Sequence, residues 1–186
     1  MIKMSGAVGL FVVLLLAGPS YAQETKGDVR SPSPREIEAA KEHAKGTEQM
    51  LAGKHQEAIV FFRRAIDLNP EFAEAYYNLG VAYEKLGKHE DSVDTLKKAI
   101  QLAPENANAH YALGYACYEL KRYKESIDAI ERSLALKPGN AFARKKLGSA
   151  YLAMGYKEKA QEQYLLLKSL NSALADELYR EMEGKK

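Results

Sequence analysis

The chain has a single cysteine, Cys117, and almost no net charge. One cysteine among 186 residues excludes a disulfide bond within the chain. The 27 lysines and arginines nearly balance the 25 aspartates and glutamates, for a formal net charge of +2 at pH 7. A nucleic-acid-binding protein would instead concentrate basic residues on one face. We therefore expect no nucleic-acid partner.

Motifs of catalysis and cofactor binding are also missing from the sequence. It contains no nucleophile motif, no phosphate-binding glycine loop and no paired cysteines with metal-site spacing. His110 and Cys117 lie two helical turns apart, but zinc takes four ligands, or three and a water, and no further ligand accompanies them. We therefore expect no enzymatic activity, no metal and no cofactor.

A hydrophobic run long enough to span a membrane is missing as well. The amino-terminal apolar run, Ala7 to Ala17, has 11 residues and ends at Gly18-Pro19, whereas a span needs roughly 20. Ser20-Tyr21-Ala22 then places small residues where signal peptidase reads them. We predict a cleaved secretory signal at residues 1–22 and export to a bacterial periplasm or the medium, with no stable membrane span after cleavage. An uncleaved anchor is the alternative.

Residues 23–34 differ from both flanking segments. They hold two prolines and one clearly apolar side chain, too little to bury on folding. We predict a disordered linker here and a single folded domain over residues 35–183.

What the chain does contain is a repeat of 34 residues. Two independent series follow this interval: Gly46, Gly80, Gly114 and Gly148, and Pro70, Pro104 and Pro138. A fixed period of this length is typical of a unit that cannot bury its apolar face alone and stacks on copies of itself. His55 and His89 are also 34 residues apart, and we expect both at one exposed, repeated position.

Each repeat is predicted to form two helices. In the copy that begins at Ala73, apolar residues recur at helical spacing up to Leu86 and again from Val93 to Leu102. The residue before each proline then ends the second helix.

Glycine inside the first helix costs up to about 1 kcal/mol relative to alanine. We expect close approach of the second helix to offset this cost, since that helix carries a small residue in each copy: Ala58, Ser92, Ser126 and Ala160. Gly53, Gly87 and Gly155 should end the first helices. Lys121 replaces this glycine in the third copy, so we expect a different turn there.

Residues 39–172 resemble the tetratricopeptide repeat family. The matching residues are Tyr76 and His110, the pairs Leu79-Gly80 and Leu113-Gly114, and Tyr83, Ala99 and Pro104. The copies are 39–72, 73–106, 107–140 and 141–172, followed by an amphipathic capping helix at 173–183. The resemblance implies an all-α, right-handed α-solenoid of stacked antiparallel helix pairs. Cys117 replaces the tyrosine of two other copies, Tyr83 and Tyr151, so we expect it in the core.

In this family a groove is lined by the residues six and three before each glycine and one after it. In this chain the resemblance assigns these positions to Ala40, His43, Thr47, Glu74, Tyr77, Val81, Asn108, Tyr111, Tyr115, Phe142, Lys145 and Ser149. The middle of this set is rich in tyrosine, which buries large area at modest entropic cost.

The resulting hypothesis is a non-enzymatic scaffold that binds an extended peptide or a helix of a partner protein. Tyr77, Tyr111, Tyr115 and Phe142 would bury partner side chains, while Asn78, Asn108 and Lys145 would orient the backbone or an acidic group. Some grooves of this family clamp the carboxyl terminus of a peptide with lysine, asparagine and arginine at set positions. We do not expect such a clamp here, because across the first three copies only Asn78 matches these positions.

Two alternatives remain open at this stage. In the first, the tyrosines pack partly against their own neighbours and merely fill the groove. In the second, the protein is a homo-oligomeric structural or assembly protein whose end helices pair across subunits.

Overall fold

The computed structural model describes residues 31–184, and within that range the regular structure is entirely helical. The predicted signal segment and linker residues 23–30 lie outside the described residues. The helices are α1 (Pro34–Leu51), α2 (His55–Leu68), α3 (Ala73–Lys85), α4 (His89–Leu102), α5 (Ala107–Glu119), α6 (Tyr123–Leu136), α7 (Ala141–Ala153), α8 (Lys157–Leu170) and α9 (Ser172–Glu183).

The helices form a solenoid of antiparallel pairs. Each of α1·α2, α3·α4, α5·α6 and α7·α8 makes one repeat, and the second helix of each repeat packs on the first helix of the next. Successive first helices also touch, so their side chains form one continuous surface. No helix within residues 31–184 is both long and apolar enough to cross a membrane.

A capping box fixes the start of the solenoid. The Ser33 hydroxyl accepts a hydrogen bond from the Glu36 backbone N–H at 3.3 Å, and the Ser33 N–H donates to the Glu36 carboxylate at 2.5 Å. Pro34 takes the first helical position, where its missing N–H costs nothing. The last residue assigned to the linker is therefore already helical.

The second helices end where the prolines predict. Asn69, Ala103 and Lys137 leave the helical region, with φ near −137° in each. Asn171 is extended too, although Ser172 follows it instead of proline. Its side chain accepts a hydrogen bond from the Leu174 N–H and so caps α9.

The helix glycines meet a large side chain, which corrects the expectation of small residue against small residue. A Cβ atom on Gly80 would lie 2.6 Å from Leu96 Cγ, and one on Gly114 would collide with Ile130. The small residues act on the glycine backbone instead, because the Ser92 hydroxyl donates to the Gly80 carbonyl at 2.9 Å. The Ser126 hydroxyl makes the equivalent 2.7 Å bond to Gly114.

The turn at Lys121 matches the others, so the expected difference was wrong. Lys121 has φ 60°, close to the 73°, 70° and 79° of Gly53, Gly87 and Gly155. A lysine is held in the left-handed region that glycine adopts freely.

The structure confirms the predicted burial of the cysteine but not the predicted exposure of the repeated histidine pair. Cys117 is 1% exposed, as predicted for a core position, and burial raises the pKa of its thiol. His55 and His89 were expected to be exposed but are half-buried. Their Nδ1 atoms are buried and make no hydrogen bond within the described part of the chain.

The last helix closes the solenoid in an unexpected way. Leu178 of α9 is fully buried, and its Cδ2 lies 2.5 Å from where a Cβ on Gly148 would stand. In the first three repeats that space is filled from the second helix, by Phe62, Leu96 and Ile130. The helix α9 therefore packs against both helices of the last repeat.

Candidate functional site

The first helices α3 and α5 enclose a cavity at the middle of the groove. Its volume is about 260 Å³. The lining side chains are Tyr77, Val81, Glu84 and Lys85 from α3, and Asn108, Tyr111, Ala112 and Tyr115 from α5. Five of these residues were predicted as groove residues, and the fold brings all five together.

Glu84, Lys85 and Ala112 were not predicted to line this site. The helical period could have identified them. Glu84 and Lys85 follow the predicted groove residue Val81 by three and four residues, so they lie on the same face of the helix. Ala112 sits three residues before Tyr115 in the same way.

The tyrosine hydroxyls of this cavity remain protonated at neutral pH. Burial, with smaller contributions from Tyr115 and Glu84, raises the pKa of Tyr111 to about 12. Burial and then the Glu84 charge raise the pKa of Tyr77, and burial followed by Glu119 and Glu84 raises that of Tyr115. One carboxylate, Glu84, thus acts on all three phenols.

A lysine already lies on the next pair of rings along the groove. Lys146 Nζ is 4.3 Å from the ring centroids of both Tyr115 and Tyr118, and 3.6 Å from Glu119 Oε1. Burial lowers the pKa of Lys146, which is the effect of moving an ammonium group out of water.

The helix α9 occupies the carboxyl-terminal end of the predicted groove. Lys145 Nζ lies 2.8 Å from Glu181 and 3.5 Å from Glu177, and the buried Ser149 hydroxyl donates to Glu181 at 2.6 Å. Lys145 is therefore engaged within the chain and not free to orient an acidic ligand. Phe142, which is 63% exposed, does not line the cavity.

The amino-terminal end of the groove is held by an internal contact. The Asn78 amide nitrogen lies 2.7 Å from His43 Nε2, and the His43 ring packs on Phe62 and Phe72. Burial lowers the pKa of His43, so the neutral ring accepts the Asn78 hydrogen bond at pH 7. Asn78 thus links the first two repeats.

The remaining predicted groove residues lie at the exposed edge of this end. Glu74 and Ala40 are exposed, and the Thr47 hydroxyl donates to the His43 carbonyl at 3.1 Å. The structure therefore reduces the predicted strip to one central cavity, because His43 is paired with Asn78 at one end and α9 covers Lys145 at the other.

This cavity does not have the geometry of a metal site. No group of three or more histidine, cysteine, aspartate or glutamate side chains within residues 31–184 is placed to hold a metal ion. The cavity offers aromatic surface, hydroxyl donors, the Asn108 amide and one carboxylate beside Lys85, which suits non-covalent recognition.

Family models match the repeats along most of the chain. Models described as TPR repeat or tetratricopeptide repeat match residues 46–87, 73–106, 107–140 and 146–174. The chain belongs to the tetratricopeptide repeat family. No curated protein sequence matches this tetratricopeptide repeat protein.

Solved tetratricopeptide repeat structures resemble the chain over most of their length. The crystal structure of MamA is 27% identical, covers 80% of this chain and 81% of its own, and has a TM-score of 0.66. The first repeat domain of Spaghetti (RPAP3), bound to the HSP90 peptide SRMEEVD, is 26% identical over 64% of this chain and 95% of its own, with a TM-score of 0.64. The second domain of human RPAP3, in complex with the HSP70 peptide SGPTIEEVD, is 28% identical over 62% and 97%, with a TM-score of 0.61.

Proposed function

We propose that the protein is a non-enzymatic interaction scaffold that binds an extended peptide or a helix of a partner protein between α3 and α5. The observation that carries this proposal is the cavity of about 260 Å³ lined by Tyr77, Tyr111 and Tyr115. These rings are half-buried, so a partner side chain can complete their burial at little cost in entropy.

The related structures support this proposal. Both RPAP3 repeat domains are in complex with peptides, and both are more than 25% identical to this chain. A repeat solenoid presents an extended surface on which a segment of several residues can lie. These complexes do not identify the partner of this chain, because the choice of partner depends on the side chains of the groove and not on the fold.

The site of action proposed for the protein is outside the cytoplasm. Residues 1–22 have the apolar run and the small residues of a cleavable secretory signal. The single buried cysteine needs no disulfide partner in such an oxidising compartment.

Site-specific photo-crosslinking in the native cells tests the proposed function. A photoreactive phenylalanine analogue at Tyr115, which lines the cavity, should capture a partner protein. The same analogue at Arg132, which lies on the exposed side of α6, is the matched control. Capture from Arg132 but not from Tyr115 would place the binding surface on the opposite face.

Self-association through the carboxyl-terminal end is the second candidate function. Leu165, Leu166 and Leu170 of α8 are each about half exposed, at 57%, 49% and 46%. Sedimentation of the wild type and of Leu166→Glu tests it, because a charge there should dissociate an oligomer without touching the groove. Deletion of α9 is a poorer test, since it would remove the buried Leu178 and uncover the space over Gly148.

A further inference from the structure

In the second, third and fourth repeats, the residue two positions before the helix glycine faces the first helix of the preceding repeat. These residues are Asn78, Ala112 and Lys146, at the repeat interval of 34. Asn78 contacts His43, and Lys146 contacts two tyrosine rings and a glutamate. Ala112 has only a methyl group, and it lines the central cavity.

The contacts of Lys146 show which groups can surround a cation at this repeat position. Its ammonium group lies 4.3 Å from the ring centroids of Tyr115 and Tyr118 and 3.6 Å from Glu119, and its side chain is 16% exposed. A cation over aromatic faces is attracted by the ring quadrupole, more so when it is desolvated. The nearby carboxylate offsets the cost of burying the charge.

The central cavity also has rings and a carboxylate, and Ala112 stands where the next repeat has Lys146. Tyr77 and Tyr111 supply the rings together with Tyr115, which Lys146 also contacts. Glu84 supplies the carboxylate, and its ion-pair partner Lys85 lines the cavity as well. The Glu84 side chain is only 18% exposed, and its ion-pair partner, Lys85 at 3.6 Å, is 51% exposed. A carboxylate that is largely out of water and held by a solvated lysine can accept a second cation.

We propose that this cavity is a subsite for a lysine or arginine side chain of the partner polypeptide, which takes the place that Lys146 takes one repeat later. The proposal rests on the proposed function, because it names the chemistry of the segment bound in the groove. The ring faces receive the cationic head, and the Glu84 carboxylate accepts its hydrogen bonds.

The charges along the groove agree with a basic partner. Lys145 is held by two carboxylates, Glu177 and Glu181, and Lys146 by Glu119 and two tyrosine rings. Both lysines are therefore engaged more fully than Glu84, whose ion-pair partner is a half-exposed lysine. The peptides named in the RPAP3 complexes carry two glutamates and an aspartate. A segment of that charge would meet Glu84 at the centre of this cavity.

Calorimetric titration of the full chain with designed peptides tests the subsite. The probe is a Gly-Ser decapeptide with arginine at every third position, and its matched control carries citrulline, which has the same shape without the charge. We expect the arginine peptide to bind at least tenfold more tightly. Free arginine, a third probe, should bind far more weakly, because the partner backbone adds contacts.

Two variants locate the binding to the cavity. Glu84→Gln should weaken the arginine peptide about tenfold, while Asp94→Asn, which makes the same charge change at an exposed position of α4, should not. Ala112→Lys should fill the cavity from within and abolish the preference for arginine over citrulline. Ala135→Lys adds the same charge at an exposed position of α6 and should leave that preference intact.

The outcomes separate this inference from the proposed function. Equal binding of the arginine and citrulline peptides, tighter binding of SRMEEVD, or no effect of Glu84→Gln overturns the basic subsite. In each of these cases the subsite falls, but the groove function still stands if the partner captured at Tyr115 is lost on Tyr77→Ala with Tyr111→Ala. If Ala112→Lys lowers the melting temperature strongly, Glu84→Gln alone decides.

Discussion

At the scale of single residues, the turn between α5 and α6 holds Lys121 in a left-handed conformation with φ 60°. The hydrogen bonds of this turn explain why. The Lys121 N–H donates to Tyr118 and the Arg122 N–H to Cys117, each at 2.9 Å, as Gly87 and Lys88 do with Glu84 and Tyr83 one repeat earlier. The packing of the helix pair therefore imposes the conformation on a residue that disfavours it by roughly 1–2 kcal/mol.

Lys121→Gly is expected to stabilise the protein by about 1 kcal/mol, because glycine adopts φ 60° without a Cβ clash. The melting temperature should rise by about 2–4 °C. Lys88→Gly is the matched control in the preceding repeat, where φ is −86°, and it should not stabilise. A lower melting temperature for Lys121→Gly would mean that the lysine side chain contributes more than the backbone strain costs.

Gly114→Leu is expected to destabilise the solenoid severely. A Cβ at this position would collide with Ile130 and stand 3.0 Å from the Ser126 carbonyl, and overpacking of this kind costs about 1–3 kcal/mol or more. Chemical denaturation measures the loss. Gly139→Leu is the control, since a Cβ there meets no atom within 4 Å. Equal stability of the two variants would show that α5 and α6 can separate without cost.

At the scale of helices, the sequence pattern predicts the repeat well and its end poorly. Helix α4 spans His89–Leu102 as its apolar pattern indicates. The contact of Leu178 with Gly148 was not foreseen, because α9 lies outside the 34-residue period that aligns the other contacts. The tight turn at Lys121 was misjudged for a related reason: propensity is local, and tertiary packing overrides it.

Leu178→Ala is expected to cost about 2–5 kcal/mol, since it removes a fully buried side chain that fills the space over Gly148. Tyr179→Ala, at the neighbouring and 46% exposed position, is the control and should change the free energy of unfolding little. Hydrogen exchange should show α7, α8 and α9 opening first in Leu178→Ala. Uniform protection along the chain would mean that α9 is not the closing element.

At the scale of the whole molecule, the fold follows from the sequence, while the extent of the site does not. The period, the glycines and the prolines determine a stack of helix pairs. Lys145 and Ser149 were assigned to an open groove, but long-range contacts with Glu181 of α9 cover them. Glu84 and Ala112 gain their significance only when two first helices stand side by side, since neither carries a motif of its own.

The mature protein is expected to begin at Gln23. The apolar run of 11 residues is too short to span a bilayer, and small residues precede the expected cut after Ala22. Amino-terminal sequencing of protein from the native cells checks this. Recovery of Met1 in the membrane fraction would show an uncleaved anchor instead.

Replacement of both Tyr77 and Tyr111 by alanine is expected to weaken partner binding at least tenfold. Both rings line the same cavity from adjacent first helices, so one ligand segment spans them, and truncating a good aromatic anchor costs about 2 kcal/mol or more. A tenfold loss of affinity corresponds to about 1.4 kcal/mol. The measurement is the dissociation constant for the partner captured by crosslinking.

The stability of this double variant decides between binding and packing as the role of the rings. Tyr111 also packs against the carboxyl-terminal core, so a modest drop in melting temperature is expected, and binding is measured well below it. Lys97→Ala with Arg132→Ala, on the exposed face of α4 and α6, is the control and should bind normally. If the tyrosine variant unfolds, the rings belong to the core; if only the outer variant loses binding, the partner lies on the opposite face of the solenoid.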